Sequence, residues 1–223
     1  MRPAVAGLMC AASTLALSQS AFADAYAGRG PGPVTWHLAA GYSEPTGQIA
    51  SYLQGGWAVG GGFTYAPNGS PLGLRADVSF NSHTATHNFI DYGTQLSGTQ
   101  VDGGTGQFFS FALGPSLTVP FVRNSRLYGF AQLGLYQSSL QLTQTALFAG
   151  DFCDPYFGYC RSGLAVGDIV VYNDSRTRVG WNGGVGIDFR TAFGPTYFVE
   201  ASYHRLAGPQ AIEYIPLQFG VRF

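Results

Sequence analysis

Residues 178–190 read Arg178-Val-Gly-Trp-Asn-Gly-Gly-Val-Gly-Ile-Asp-Phe-Arg190, and their alternation decides the fold. Val179, Trp181, Val185, Ile187 and Phe189 share one parity; Arg178, Gly180, Asn182, Gly184, Gly186, Asp188 and Arg190 share the other. A period of two puts these sets on opposite faces of a β-strand, because successive side chains point to opposite sides. One face is bulky and apolar, the other small, polar or charged. The two faces therefore meet different environments.

Seven further stretches repeat the pattern. They run through Trp36–Tyr42, Trp57–Tyr65, Leu72–Phe80, Phe109–Phe121, Leu127–Leu135, Tyr197–Tyr203 and Ile215–Phe223. Gly, Ser and Thr dominate the complementary face, and aromatics mark the ends of the apolar one. Beyond the amino-terminal segment no run of 18 apolar residues offers a spanning helix. A soluble sandwich would alternate in the same way with its polar face toward water. Only 10% of the residues are charged, however, against about 25% in an ordinary soluble domain, and every basic residue is Arg. A water-facing surface needs more charge than that. With a net charge of -1 the chain has no basic footprint, so nucleic acid is not an expected partner.

The first residues read as an address. Met1-Arg2 precedes an apolar, small-residue run, and Ala21-Phe22-Ala23 has the A-x-A form of a signal-peptidase site. Residues 1–23 are expected to be a cleaved signal peptide, with 24–223 as one barrel domain. Export leaves Cys153 and Cys160 as a lone close pair, which in an oxidising compartment reads as a disulfide. Closing so short a loop stabilises the fold by about 2–3 kcal/mol in the chain-entropy model. Together these features predict an all-β, eight-stranded, antiparallel up-and-down transmembrane β-barrel. Glycine on the inner face suits its tight curvature.

Connection lengths fit that architecture. Pro67–Pro71, Val122–Ser125 and Thr191–Pro195 are short, whereas Ser43–Gln54, Asn81–Gly106 and Thr143–Thr177 are long; Leu206–Gln210 is the exception. Short periplasmic turns facing long outer loops are the asymmetry of outer-membrane barrels. No helix is expected in the Thr-rich second outer loop. A ten-strand alternative would recruit Gly163–Tyr172; that segment is preferred here as a hairpin extension above the membrane.

Ile215-Pro-Leu-Gln-Phe-Gly-Val-Arg-Phe223 ends in an aromatic with apolar residues at alternate positions. It resembles the carboxy-terminal sorting signal read by the barrel assembly machinery, with Phe219, Val221 and Phe223 as the assembly signal. Arg126-Leu-Tyr-Gly-Phe-Ala-Gln-Leu-Gly-Leu-Tyr136 and Gly180–Arg190 resemble strands of the small outer-membrane β-barrel family. That family includes OmpA-like transmembrane domains, opacity proteins and adhesion/invasion barrels. The resemblance covers the chain after the leader and implies a bacterial outer-membrane location, with lipids as surroundings. Its motifs specify fold rather than activity. Pro216 departs from a regular ladder and marks a bulge or a missing hydrogen bond.

Candidate chemistry is sparse. His204 follows Ser202 on the inner face, and some outer-membrane lipid A deacylases place a Ser and a His two residues apart on a late strand. Here Leu206 stands where that nucleophile would be, and an inward pair does not meet lipid. His83 and His87 have i, i+4 spacing but lack an expected helix and a carboxylate between them, so no metal site is assigned. No cofactor is implied.

The inner face carries Arg75, Asp77, Asp188, Arg190, Glu200 and Arg222, three bases against three acids. Balance favours mutual pairing into a lumen charge network over a channel lined by one sign. The third outer loop places Phe152, Tyr156, Phe157 and Tyr159 around the cysteines as a contact surface. The expected function is a non-enzymatic outer-membrane protein, its lumen largely closed and its loops serving envelope integrity or meeting a host surface, a matrix component or another envelope protein. A narrow porin is the alternative, and a lipid A-modifying enzyme is the third reading.

Overall fold

The computed structural model describes residues 33–67, 70–98, 100–122, 124–153, 158–191 and 195–223; the expected signal peptide, residues 1–23, lies outside them. Among these residues eight strands close into a barrel in sequence order. They are β1 (Val34–Thr46), β2 (Leu53–Tyr65), β3 (Leu72–Ala85), β4 (Gly103–Val122), β5 (Ser125–Cys153), β6 (Cys160–Arg190), β7 (Thr196–Leu206) and β8 (Ile212–Arg222). Every neighbouring pair is antiparallel, and β1 meets β8 from His37↔Arg222 to Thr46↔Glu213. Closure leaves no open edge around the barrel wall, which an apolar solvent demands.

The apolar parity faces outward. Leu38, Val59, Leu133 and Val185 are exposed on the wall, where a soluble sandwich would bury them. Exposed aromatics gather at both rims: Trp36, Phe121, Phe189 and Phe223 at the end carrying the carboxy terminus, Tyr42, Trp57, Phe109 and Trp181 at the other. Two such girdles around an apolar band are the outer signature of a membrane barrel. The inner parity holds glycine where a ring needs the space. A Cβ on Gly186 would collide with the Tyr128 phenol, and one on Gly220 with the Phe198 ring and the Leu38 carbonyl.

The outer connections are more ordered than their composition suggested. A short 3-10 helix, Gly47–Ser51, joins β1 to β2. In the second connection, where no helix was expected, α1 runs from His87 to Ser97 and ends at Gly98 in the left-handed conformation, φ 63°. Tertiary contacts sustain it: the Phe89 ring meets Tyr52 edge-on at 6.0 Å, and Gly93 lies against Leu142.

The third connection is not an irregular loop. β5 and β6 stay paired from Ser125↔Phe189 to Cys153↔Cys160, with one register shift at Leu142/Thr143 that leaves Val171 as the extra residue. Gly163–Tyr172 is thus the hairpin extension and not an added pair of wall strands. Pro216 gives a lapse without a bulge: β7–β8 partners run to Ala201↔Leu217 and resume at His204↔Tyr214 in unchanged register.

Candidate functional site

The inward side chains form three layers. Nearest the Phe223 end, Arg222 Nη1 donates to Asp188 Oδ2 at 2.9 Å, and Arg126 Nη2 lies 3.5 Å from the same oxygen. The Arg222 guanidinium covers the Tyr128 ring at 4.0 Å and the Phe198 ring at 4.7 Å.

The middle layer centres on Arg75. Its Nη1 and Nη2 donate to Glu200 Oε2 and Oε1 at 2.7 and 3.1 Å, and its Nε donates to Asp77 Oδ2 at 2.7 Å. The Tyr128 hydroxyl donates to Glu200 at 2.8 Å, and Gln132 Nε2 donates to Asp77 Oδ2 at 2.8 Å. His37 Nε2 stands 2.7 Å from Asp77 Oδ1. Arg75 and Glu200 are both buried, and the fork-to-fork geometry is the strong form of this pair. Tyr128 joins the layers, its hydroxyl on Glu200 and its ring under Arg222.

Of the six charges expected to form the network, the structure brings together Arg75, Asp77 and Glu200 in one group and Asp188 and Arg222 in the adjoining one. Arg190 is the correction. It keeps the inward parity but lies exposed at the rim, two residues past Asp188, with its backbone N–H on the Asn124 carbonyl at 2.8 Å. Parity assigns a face and not a depth. Sequence reasoning missed His37, Arg126, Tyr128 and Gln132. The parity of Arg126 and Tyr128 beside Leu127 carried that signal, whereas nothing local distinguished His37.

The third layer is an apolar plug toward the outer end. Leu53, Phe108, Tyr136, Leu206, Ile212 and Tyr214 are buried together, with Ile49 and Leu140 packed on them. Tyr214 stacks on Phe108 at 5.4 Å and on His204 at 4.8 Å. Ser202 Oγ lies 3.1 Å from His204 Nε2, and the Tyr136 hydroxyl 3.3 Å from His204 Nδ1. This Ser–His pair points into the packed interior, away from the lipid wall. His83 is also interior, its Nδ1 donating to the Gln54 carbonyl at 3.2 Å. His87 opens α1, so the two residues share no helical face. Two cavities of about 30 Å³ each separate the layers, one lined by Asp77, Asn81, Gln132 and Asn182, the other by Thr35, Arg126, Asp188 and Arg222.

Outside the barrel, β5 and β6 form a two-stranded ribbon closed by the Cys153–Cys160 disulfide. Leu147, Leu164 and Val166 project from it with 68–70% of their surface exposed. Of the expected contact aromatics, Tyr159 is exposed, Phe152 lies on β5, and Tyr156 and Phe157 fall outside the described residues.

An apolar wall between aromatic girdles, closed by eight antiparallel strands around a polar interior, defines a transmembrane barrel of the outer-membrane class. The chain belongs to the family described as "Outer membrane protein beta-barrel domain", whose sequence profile matches residues 4–222. Its place is the bacterial outer membrane. Comparison of the sequence with curated proteins found no match.

Among solved structures the chain is similar to Neisserial surface protein A, with 13% identity and a TM-score of 0.53 over 87% of this chain and 98% of that one. It also aligns with the attachment invasion locus protein Ail of Yersinia pestis, at 14% identity and a TM-score of 0.45 over 85% and 99%. The amino-terminal barrel domain of Pseudomonas aeruginosa OprF aligns at 12% identity and a TM-score of 0.40 over 86% and 98%. At these identities the likeness is one of fold.

Proposed function

We propose that the protein is a non-enzymatic surface barrel whose lumen is sealed and whose β5–β6 ribbon carries the contact with a host surface, a matrix component or another envelope protein. The observation that carries this reading is the ribbon. On its outward parity the lipid-facing residues of β5 end at Leu135, and Gln137, Ser139, Gln141, Thr143 and Thr145 follow before Leu147. Twelve residues of strand span roughly 40 Å. The exposed Leu147, Leu164 and Val166 therefore stand apart from the lipid band, beyond a polar belt. Apolar side chains held at that distance are suited to protein contact, and the disulfide reduces the ordering that binding would require.

The plug and the paired charges support a sealed lumen, since neither leaves a row of like charge to select ions. The Ser202–His204 pair supports a structural role because its hydrogen bonds turn inward. Phe219, Val221 and Phe223 at the closing strand serve as the signal for the barrel assembly machinery, and residues 1–23 serve as the cleaved export signal. Outer-membrane lipids cover the wall.

The test is a pull-down from envelope and host fractions with the intact protein beside a Leu147→Ser, Leu164→Ser, Val166→Ser variant and a Cys153→Ser, Cys160→Ser variant. Loss of a specific partner in the first variant, with the barrel still heat-modifiable, is the expected result. Equal capture by all three proteins contradicts the role of the ribbon.

A further inference from the structure

Above the plug the mouth of the barrel divides in two. α1 lies over one part, against Tyr52 and Leu142. Over the other, between the Gly47–Ser51 turn, β5, β6 and the β7–β8 connection, a cup of about 400 Å³ stays open to the outside. Its floor is Ile49, Leu140 and Ile212, the top of the plug; Asp174, Arg176 and Arg178 line its wall.

The two arginines have no part in the lumen layers. They take the inward parity of β6 above the plug, where the barrel no longer needs them for pairing. Arg176 Nε is held by Asp174 Oδ2 at 2.8 Å, and Arg178 Nη1 donates to the Gln210 carbonyl at 3.0 Å. Each guanidinium is thus anchored by one nitrogen. Gly208 gives Arg178 its room, since a Cβ there would stand 2.5 Å from Nη1. Two guanidiniums against one carboxylate leave the wall with one net positive charge.

We propose that this cup binds a small organic anion with an apolar body, of the aryl phosphate or aryl carboxylate class. Its volume falls within the ~300–1,000 Å³ of small-molecule sites. A guanidinium offers several donors in a planar fork that matches the oxygens of a phosphate or carboxylate. Anchoring through one nitrogen fixes each fork before binding, so less side-chain freedom is lost when the anion arrives. The apolar floor accepts the ring, which an inorganic anion does not have. Charge and apolar surface thus select jointly, and neither alone fills the site. The inference does not depend on the ribbon making any contact.

The experiment titrates phenyl phosphate into the folded barrel in lipid nanodiscs, followed by amide NMR signals of residues 47–52, 138–142, 174–178 and 206–212. Saturable shifts confined to those segments are expected, with inorganic phosphate and benzylammonium each binding at least about tenfold more weakly, a difference of about 1.4 kcal/mol. Arg178→Gln should weaken phenyl phosphate about tenfold or more, Arg178→Lys should recover only part of that loss, and Arg190→Gln at the opposite rim should change nothing. Heat-modifiable migration of each variant separates lost binding from lost folding. Equal binding of inorganic phosphate, an unchanged affinity in folded Arg178→Gln, or shifts that never saturate would each overturn the proposal; so would full rescue by Arg178→Lys, which would reduce the site to bulk charge.

Discussion

Arg75 and Glu200, 125 residues apart in sequence, meet across the lumen through two parallel hydrogen bonds of 2.7 and 3.1 Å. The pair ties β3 to β7, strands that share no ladder, so it braces the barrel through its interior. Asp77 and Tyr128 add further polar partners to the two charges, and His37 Nε2 lies 3.3 Å from Arg75 Nη2.

Removing Glu200 leaves Arg75 buried with Asp77 as its one carboxylate, and removing Arg75 strands two buried carboxylates, Glu200 and Asp77. Glu200→Gln or Arg75→Gln should lower stability by about 3–5 kcal/mol, read from urea unfolding of the folded barrel. An Arg75→Met, Glu200→Leu double variant should lose less than the sum of the single losses, because the Arg75–Glu200 contact is then lost once and not twice, and Asp77 keeps His37 and Gln132. Arg190→Ala is the contrast. Its exposed position at the rim should keep its effect within about 0.5 kcal/mol. A loss as large as that of Glu200→Gln would place Arg190 in the network after all.

The inner glycines predict an assembly defect of steric origin. Gly220→Leu inserts a side chain where the Phe198 ring and the Leu38 carbonyl already stand, between the closing strands β8 and β1. The folded, heat-modifiable fraction should fall sharply. A similar substitution at Gly98, where nothing lies within 4 Å, should instead act only through its positive φ and leave the wall intact. Equal yields of the two variants would argue against crowding as the constraint.

The ribbon should behave as a separate unit of stability. Two strands alone are marginal in water, and beyond Thr143 β5 has only β6 as a partner. Reducing Cys153–Cys160, or substituting both residues by Ser, should speed proteolysis between Thr143 and Thr177 while the barrel melting profile holds. A matching drop in barrel stability would show that the ribbon is coupled to the wall.

Export and assembly signals give a further check. The mature protein should begin at Asp24 by mass spectrometry, and deletion of Phe223 should slow insertion into the outer membrane. Phe219 stacks on Tyr197 at 5.9 Å on the lipid-facing wall, so Phe219→Ala should also remove a packing contact. Normal insertion of the Phe223 deletion would refute the sorting role.

The wall was legible because its physics is local. Period-two alternation fixes which face each residue takes, as in Arg178–Arg190, and Trp and Phe at strand ends mark the interfaces. Depth was not legible, for alternation is silent on how far along the axis a residue sits. Arg190 and Asp188 look equivalent in sequence, yet one is exposed and the other 1% exposed. The plug was hidden for a related reason. Phe108, Tyr136 and Tyr214 are aromatic residues on the supposedly polar parity, Leu53 has the outward parity of Trp57 and is turned inward by the register shift between Leu53 and Gly56, and only three-dimensional closure brings them into one cluster. α1 was missed because its support is tertiary, although Gly98 after Ser97 was a helix-stop signal within reach. The mouth cup depends on Arg176 and Arg178 lying opposite the Gly47–Ser51 turn, a juxtaposition no linear pattern encodes.

The central claim is that the plug and the paired charges fill the barrel across its width, and planar-bilayer recording of the folded protein tests it most directly. The account predicts no steady conductance from intact barrels, and a measurable one only when Tyr214→Ala and Phe108→Ala open the plug together. A steady, ohmic conductance from the unmodified protein would contradict it and establish the narrow porin.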